Sequence, residues 1–325
     1  MTKVLVTSRS FGSGEVDLVA EATTRGYEIV RGPSHHSLDQ LGNLLASAEA
    51  WIAGAGPIAS EHLALAKNLK IIARYGVGVD MVDLEQAARR GVVVTNTPGA
   101  NTEAVADLTV GLMLASLRHL AASNRAVREG DWSARVGREL RALSVGLVGF
   151  GRIGQSVARR LAGFGTSVSA LDPAVDVADR SSGAITPVAS LEELFSRSDL
   201  VSLHAPGGQL LVDSQVLAHA KPGMVLVNTA RAELVDEQAV AEALRTGSLA
   251  GYAADSVDGD TGSHDSPLLA SDLSSAVTLT PHIGAQTRQA IDTMGQMALD
   301  NVHAVLTGQP PLTPVARVQE KGEAH

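Results

Sequence analysis

Short runs of β-branched and aliphatic residues alternate with helical patterns along this chain, and this alternation constrains the fold more than any other feature. It is typical of βαβ units, in which helices cover both faces of a buried parallel sheet. A first series of strands is predicted at residues 4–6, 28–30, 51–53, 71–73 and 92–94. A second series is predicted at residues 145–148, 168–171, 200–203, 225–227, 251–254 and 277–279. The sequence therefore predicts two α/β units.

Helices are predicted between the strands, notably at residues 81–90, 153–161, 191–195 and 237–244. A long apolar helix at 101–120 lies between the two series, with Asn101 as its N-cap and Glu103 in its first turn. A further long helix is predicted at 286–306. The helix at 101–120 is expected to join the two domains.

The composition agrees with two domains and excludes several classes of protein. At 325 residues the chain is about twice the usual size of one domain. Its 35 acidic residues exceed its 26 basic ones, and this balance argues against nucleic-acid binding. The sequence contains no cysteine, which excludes disulfides and thiolate chemistry and fits a cytoplasmic protein. We expect no signal peptide, no membrane span and no metal site.

The strongest local motif is Gly-Phe-Gly-Arg-Ile-Gly, which directly follows one predicted strand and directly precedes a predicted helix. In a dinucleotide-binding loop Gly149 would permit the tight turn, Gly151 would let the backbone approach a pyrophosphate, and Gly154 would let helix and strand pack closely. The amides of Arg152 and Ile153 would then face phosphate at the helix N-terminus. The alternative is a glycine-rich turn in another α/β fold.

Asp172 ends the next predicted strand, about 20 residues beyond the glycine motif, where an acid that binds the adenosine ribose is expected. A carboxylate there accepts hydrogen bonds from the ribose and repels a 2'-phosphate. Two like charges 4 Å apart repel by roughly 4 kcal/mol at an effective dielectric constant of 20. The sequence therefore predicts NAD rather than NADP. The alternative is an exposed acid in a turn before Pro173.

Three further polar segments end strands of the second series. They carry Arg231, the acids between Asp255 and Asp260, and His282. Because the carboxyl ends of parallel strands share one edge of the sheet, we expect these side chains at the edge where ligands bind. An arginine can polarise a carbonyl there, a histidine can move a proton, and an acid can tune the histidine. A lone histidine after a proline is more often structural, so the prediction depends on the combination.

Four motifs together resemble those of the D-isomer-specific 2-hydroxyacid dehydrogenases, and the resemblance extends from about Val4 to Gly308. They are Arg-Tyr-Gly-Val-Gly-Val-Asp at 74–80, the glycine motif at 149–154, the segment 228–237, and Pro-His-Ile-Gly at 281–284. Segment 281–287 is most similar to the phosphoglycerate dehydrogenase branch, and the chain resembles a member without the C-terminal regulatory domain.

The resemblance implies a Rossmann domain with a doubly wound parallel sheet, residues 101–287, inserted in a second, flavodoxin-like α/β substrate domain, residues 1–100 and 288–325. It implies an oxidoreductase that transfers a hydride between NAD(H) and C2 of a D-2-hydroxy acid or 2-oxo acid. It also implies a homodimer.

The resemblance further implies that Arg231, Asp260 and His282 are catalytic. Arg231 would bind the substrate carboxylate and carbonyl, and His282 would donate the proton during reduction. Asp260 stands where the family usually has glutamate, so its carboxylate is one methylene shorter. Asp255 would recognise the nicotinamide carboxamide. The remaining implied residues contact the cofactor (Gly149, Gly151, Arg152, Ile153, Gly154, Asp172, His204, Pro206, Thr229, Ala230, His282 and Gly284) or the substrate (Arg74, Val77, Gly78, Asn101 and Arg231).

The expected substrate is a small anionic acid, and 3-phosphoglycerate, hydroxypyruvate, glyoxylate and a phosphonate or sulfonate analogue all satisfy the sequence. Arg135 lies near the place where phosphoglycerate dehydrogenases use a basic residue for the distal phosphate, although a solvated surface arginine is an equal alternative. The segment after Pro206 lacks the customary threonines, and Ala232-Glu233 stands where two glycines are common. These departures predict a different pocket mouth.

Two alternative functions remain open from the sequence. One is an NAD-sensing regulator or corepressor on the same fold, since a fold alone does not fix a function. The other keeps the hydride chemistry but oxidises formate or phosphite. The presence of both Arg231 and His282 favours an enzyme over a sensor.

Overall fold

The computed structural model describes residues 1–257 and 265–315, and the chain divides into two compact units. The first unit comprises residues 1–101 and 285–325, and the second comprises residues 102–284. Each unit contains one parallel sheet. The second unit is therefore inserted in the chain of the first, and the predicted fold class is confirmed.

The first unit has a five-stranded sheet in the order β2-β1-β3-β4-β5, which is the flavodoxin-like order. Its strands are β1 (Thr2–Val6), β2 (Tyr27–Arg31), β3 (Ala50–Ala53), β4 (Ile71–Arg74) and β5 (Val93–Thr95). Its helices, numbered by their place in the whole chain, are α1 (Leu18–Thr24), α2 (Leu38–Ser47), α3 (Ser60–Leu65), α4 (Leu84–Arg89) and α12 (Arg288–Leu306).

Apolar side chains cover both faces of this sheet. Successive residues of a strand point to opposite faces, so Leu5 packs in one cluster with Trp51 while Val4 packs in another. Helix α12 covers the second face with Leu299 and Val302. Each fully buried side chain of this size contributes about 1.5–3 kcal/mol, so the sheet holds its loops on a rigid base.

The second unit has a seven-stranded sheet in the order β12-β11-β10-β9-β6-β7-β8. Its strands are β6 (Ser144–Val148), β7 (Ser167–Leu171), β8 (Thr186–Pro187), β9 (Leu200–Leu203), β10 (Met224–Asn228), β11 (Leu249–Ala254) and β12 (Val277–Leu279). Strand order reverses between β6 and β9, and open α/β sheets bind ligands beyond the carboxyl ends of the strands at such a point.

Seven helices of this unit surround the sheet in the described part of the chain: α5 (Thr102–Leu117), α6 (Leu120–Arg128), α7 (Arg152–Ala162), α8 (Val177–Arg180), α9 (Leu191–Arg197), α10 (Ser214–Leu217) and α11 (Glu237–Thr246). Met113 of α5 and Val157 of α7 pack with Leu147 on one face. Val240 of α11 packs with Leu226 on the other. The core thus fixes the ends of β6, β9, β10 and β11 relative to one another.

The helix predicted at 101–120 begins where expected but is wrong at its end. Helix α5 begins at Thr102, directly after Asn101, although the side-chain oxygen of Asn101 accepts no hydrogen bond within the described residues and so gives the helix no side-chain cap. The helix ends at Leu117 because the N–H of Arg138 bonds to the Leu117 carbonyl at 3.0 Å and His119 adopts a left-handed backbone, with φ 54°. Helix α6 then continues at an angle of 60° to α5.

Two other predicted helices begin later than expected, each because a side chain caps the observed start. Helix α4 begins at Leu84, since Asp83 accepts a hydrogen bond from the Gln86 N–H at 2.9 Å. Helix α12 begins at Arg288 behind the N-cap Thr287.

Strand β8 was not predicted, because it has only two residues and one is Pro187.

Across residues 1–257 and 265–315, no single helix is long and apolar enough to cross a membrane, although the bent pair α5 and α6 passes by length and composition taken together.

Candidate active site

The glycine motif forms the turn from β6 into α7, and each glycine has its own steric reason. At Gly149 φ is 93°, and a Cβ there would lie 2.7 Å from the carbonyl of His204. A Cβ at Gly154 would lie 2.3 Å from the Gly149 oxygen, so α7 packs directly on the turn. Around Gly151 no described atom lies within 4 Å of a Cβ position. Open space therefore adjoins the start of α7.

Helix α7 begins at Arg152 without a side-chain cap, because Gly151 is its N-cap. The N–H groups of its first residues, Arg152 and Ile153, have no acceptor within the helix. Together with the positive end of the helix dipole, they can bind an anionic group such as a phosphate. The open space beside Gly151 fits the pyrophosphate of a dinucleotide.

Asp172 lies beside this turn, at the carboxyl end of β7. Its carboxylate accepts hydrogen bonds from the Phe150 N–H at 2.7 Å and from the Ala174 N–H at 2.8 Å. These bonds fix the carboxylate next to the glycine motif, where an acid could accept from a ribose hydroxyl. The geometry therefore fits a dinucleotide whose ribose carries no phosphate.

His204 follows β9 and lies against the glycine turn. Burial lowers the pKa of His204 to about 4, so the imidazole is neutral at neutral pH. Its Nε2 atom is enclosed and has no hydrogen-bond partner among the described residues. A buried polar atom of this kind usually finds a partner, and a ligand in the open space could supply one. Pro206, two residues on, is exposed.

Residues at the end of β10 place Arg231, and one of them, Asn228, was not predicted. Asn228 is fully buried; its Oδ1 accepts from the Ala230 N–H at 3.0 Å and its Nδ2 donates to the Arg231 carbonyl at 2.8 Å. The Thr229 hydroxyl pairs with that of Thr109 on α5 at 2.7 Å. A polar residue that ends a buried apolar run is the signal that could have identified Asn228.

His282 lies in a turn after β12 and has a left-handed backbone, with φ 55°. The buried carboxylate of Asp255, at the end of β11, accepts hydrogen bonds from the N–H groups of Ile283 and Gly284 at 2.8 and 2.6 Å. It also accepts from the hydroxyl of Thr280 at 2.6 Å. Thr280 was not predicted, although a threonine at the end of a buried strand is a possible signal.

Arg74, at the end of β4 in the first unit, is buried and donates to the chain itself. Its guanidinium bonds to the carbonyl oxygens of Gly54, Gly56 (3.1 Å), Ala55 (3.3 Å) and Gly78 (3.2 Å). Arg74 therefore holds two loops at the carboxyl edge of the first sheet. Its predicted contact with substrate stays a prediction.

The loop that Arg74 holds presents two backbone donors. The N–H groups of Val77 and Gly78 bond to no other group in the described part of the chain. The Val77 carbonyl is held by the Asn96 side chain at 2.8 Å, which fixes the loop. The two N–H groups could donate to a carboxylate ligand. Asn101 has an enclosed side-chain oxygen without a partner among the described residues, and this oxygen can only accept a hydrogen bond.

The second unit thus brings together, at the carboxyl edge of its sheet, the loops that carry the glycine motif, Asp172, His204, Arg231, Asp255 and His282.

Arg135 is exposed in the segment between α6 and β6. Asp260 lies outside the described residues. Within the described ranges, no three His, Asp or Glu side chains are grouped as metal ligands would be.

Known proteins are similar to this chain in sequence and in fold. The family model for the D-isomer specific 2-hydroxyacid dehydrogenase, NAD binding domain, matches residues 110–284, which is more than half of the chain. The chain belongs to this family, and the resemblance inferred from its motifs is confirmed. The match also covers every part of the second unit that carries the predicted NAD site.

Individual relatives agree with the family assignment. The D-3-phosphoglycerate dehydrogenase of Mycobacterium bovis is 40% identical over 263 residues, which cover 79% of this chain and 49% of that protein. This chain therefore spans about half the length of that relative. The hydroxypyruvate reductase of Thermotoga maritima is 37% identical over 266 residues, which cover 79% of this chain and 84% of that protein. A crystal structure of a protein from Thermus thermophilus has a TM-score of 0.86 and 37% identity, and covers 97% of this chain and 100% of that one.

Proposed function

We propose that this protein is an NAD-dependent oxidoreductase that interconverts a D-2-hydroxy acid and the corresponding 2-oxo acid. The observation that carries the proposal is the common sheet edge of the second unit. The glycine turn with its open space at Gly151, and the segments that carry Arg231 and His282, all follow strands of this sheet at their carboxyl ends. This edge adjoins the point where strand order reverses, between β6 and β9.

In the proposed reaction, NAD supplies or accepts the hydride at its nicotinamide ring. The Arg231 guanidinium binds the substrate carboxylate and polarises the C2 carbonyl, since its planar fork suits both oxygens. The His282 imidazole donates a proton to the carbonyl oxygen during reduction and removes it from the hydroxyl during oxidation. General acid–base catalysis of this kind contributes about 10²–10⁴ in rate. Asp260 is proposed to orient His282, and the N–H groups of Val77 and Gly78 to bind the carboxylate.

Asp172 supports NAD rather than NADP as the preferred cofactor. Its carboxylate is fixed beside the glycine motif by two backbone N–H groups, so it could not readily move away from a 2'-phosphate. Repulsion of roughly 4 kcal/mol at 4 Å, reduced by solvent, would still disfavour NADP strongly. We expect kcat/KM to be much higher with NADH than with NADPH, and Asp172→Ala to reduce the difference. Equal kcat/KM values in the wild type would contradict this assignment.

The substrate class is proposed to be small anionic 2-hydroxy acids and the corresponding 2-oxo acids. Relatives named D-3-phosphoglycerate dehydrogenase support 3-phosphoglycerate, and the Thermotoga maritima relative supports hydroxypyruvate. Exposed Arg135 would favour a distal phosphate. The second candidate is therefore a hydroxypyruvate or glyoxylate reductase, which would not need Arg135.

Steady-state oxidation of NADH with hydroxypyruvate, phosphohydroxypyruvate and glyoxylate tests the proposal. We expect turnover with at least one acid, and a fall of about 100-fold or more in kcat/KM for Arg231→Lys, which cannot form the same bidentate contact. The matched control is Arg245→Lys, since Arg245 pairs with Asp272 on the surface of the same unit. Binding of NADH without turnover of any acid would indicate a sensor instead. Arg135→Ala distinguishes the two substrate candidates, since only the phosphorylated acid should lose affinity.

The proposed homodimer is supported by exposed apolar side chains between α6 and β6. Trp132 is 80% exposed and Val136 is 94% exposed, so both apolar side chains are accessible to a second copy of the chain. Light scattering should give twice the chain mass, and Val136→Asp should shift the protein toward monomer.

The cysteine-free sequence supports a cytoplasmic location.

A further inference from the structure

His282 has a backbone conformation that its residue type does not favour. Its φ of 55° places it in the left-handed region, where the Cβ of any residue other than glycine is crowded. Such a conformation persists only when the surrounding structure enforces it. The direction of the imidazole depends on this backbone, so whatever enforces the turn also aims the side chain.

The groups that enforce the turn converge on Asp255. One carboxylate oxygen accepts from the Ile283 N–H and the Thr280 hydroxyl, and the other accepts from the Gly284 N–H. The two N–H groups immediately follow His282, and Thr280 precedes it by two residues. Asp255 is 4% exposed, so little solvent competes for these charge-assisted bonds. One carboxylate thus holds the chain on both sides of His282.

Gly284 fits this arrangement sterically. A Cβ at Gly284 would lie 2.9 Å from a carboxylate oxygen of Asp255 and 3.3 Å from Val105. Both neighbours belong to packed elements of the second unit, so the contact could not be relieved without moving the turn or the carboxylate. The close approach of the Gly284 N–H to Asp255 therefore requires glycine.

We propose that Asp255 is a positioning residue, which holds the left-handed turn at His282 and so aims the imidazole. This rests on the proposed function, in which His282 transfers the proton. A carboxylate has about four lone-pair directions, and three are occupied by the chain itself. The contact with the nicotinamide carboxamide that the family resemblance implies is then secondary to the turn.

The first test uses the protein without cofactor. Hydrogen exchange of the Ile283 and Gly284 amides is measured by NMR in the wild type and in Asp255→Asn, whose amide group offers one acceptor oxygen in place of two. We expect faster exchange at these two amides in the variant. The matched control is Asp213→Asn, since Asp213 accepts from two backbone N–H groups at the start of α10 in the same unit. Unchanged protection in Asp255→Asn would overturn the proposal.

The second test separates positioning of His282 from binding of the carboxamide. We expect Asp255→Asn to lower kcat by about 100-fold, the loss typical of a misplacement of about 1 Å, with little change in KM for NADH. The loss should be equal with reduced 3-acetylpyridine adenine dinucleotide, in which a methyl ketone replaces the carboxamide. A loss confined to NADH, or a rise in KM with kcat unchanged, would show that Asp255 acts on the cofactor and would overturn the proposal.

Two milder variants keep the test decisive if Asp255→Asn folds poorly. Thr280→Val removes one of the three hydrogen bonds and should lower kcat several-fold. Gly284→Ala retains the carboxylate but displaces the turn, so it should lower kcat more than Thr280→Val does. Full activity in Gly284→Ala would contradict the positioning role. Absence of turnover in the wild type would instead refute the proposed function, and the exchange result would remain valid evidence for the turn.

Discussion

His36 in the first unit should make the stability of this protein depend on pH. Its side chain is buried, with Nδ1 2.9 Å from the Pro57 carbonyl and Nε2 2.7 Å from the Thr7 hydroxyl. Thr7 also accepts from the Trp51 indole N–H and the Gly54 N–H. The Thr7 hydroxyl hydrogen is thus left to donate to Nε2, while the Pro57 carbonyl accepts from Nδ1. These contacts suit a neutral imidazole with its proton on Nδ1.

The pKa of His36 is lowered from 6.5 to about 4, chiefly by burial and to a smaller extent by the nearby Arg74, His62 and His35, although the hydrogen bond to Pro57 acts in the opposite direction. In the unfolded chain His36 binds a proton below about pH 6.5, whereas in the folded protein it binds one only near pH 4. The free energy of unfolding therefore falls as the pH drops between these values. At 1.36 kcal/mol per pKa unit, the full loss is on the order of 3 kcal/mol.

The change to make is His36→Asn, because asparagine tolerates the left-handed backbone of His36, φ 55°, and does not titrate. Urea unfolding is followed by fluorescence at pH 6.5 and pH 4.5. Trp51 reports on the site, since its ring lies 4.9 Å from that of His36. Trp132→Phe in both proteins leaves Trp51 as the single tryptophan. Over these two pH units the protein with His36 should lose roughly 2 kcal/mol more than the variant.

The matched control is His35→Asn, which removes the exposed neighbouring histidine and leaves the buried network intact. It should retain the pH dependence of the protein with His36. His36→Asn should also be less stable than the wild type at both pH values, because it loses hydrogen bonds. The test therefore compares only the change in unfolding free energy between the two pH values. Equal pH dependence with and without His36 would refute the reasoning.

Four other substitutions, at three positions, test the steric account of the turns. Gly151→Ala should leave the melting temperature unchanged but weaken NADH binding measured by calorimetry, because its Cβ enters open space that the pyrophosphate needs. Gly154→Ala should weaken binding and also lower the free energy of unfolding by about 1–3 kcal/mol, since its Cβ would overlap the Gly149 oxygen. At position 282, glycine should be more stable than alanine by about 1 kcal/mol in urea unfolding, because only glycine is unstrained at this φ. Equal effects of the two loop variants, or greater stability of the alanine variant at 282, would contradict these assignments.

The strands and the glycine motif could be predicted because their signals are local. Short apolar runs recur at the long strands, and the spacing of Gly149, Gly151 and Gly154 depends on one turn and one helix. The tight turn predicted at Gly149 and the close packing predicted at Gly154 agree with the distances around them, whereas the approach of a pyrophosphate to Gly151 stays a prediction. Asp172 likewise follows its strand at a spacing set by one βαβ unit.

Contacts between distant segments could not be predicted. The end of α5 depends on a hydrogen bond from Arg138, about 20 residues later, so the apolar pattern alone extends the helix too far. Arg74 carries a charge that suits a substrate carboxylate, but its burial among four carbonyl oxygens emerges only from the folded loops. Asp255 similarly acquires its partners from a turn nearly 30 residues away in the sequence.

Transfer of deuterium from [4-²H]NADH to a 2-oxo acid tests the proposed chemistry most directly. The acid is chosen from the panel by its turnover, and the product is analysed by NMR for the label and by chiral chromatography for configuration. The account predicts deuterium at C2 of the D-2-hydroxy acid. In His282→Ala, the amount of labelled product should fall in proportion to the loss of activity. A product labelled elsewhere, an L-hydroxy acid, or undiminished transfer in His282→Ala would contradict it.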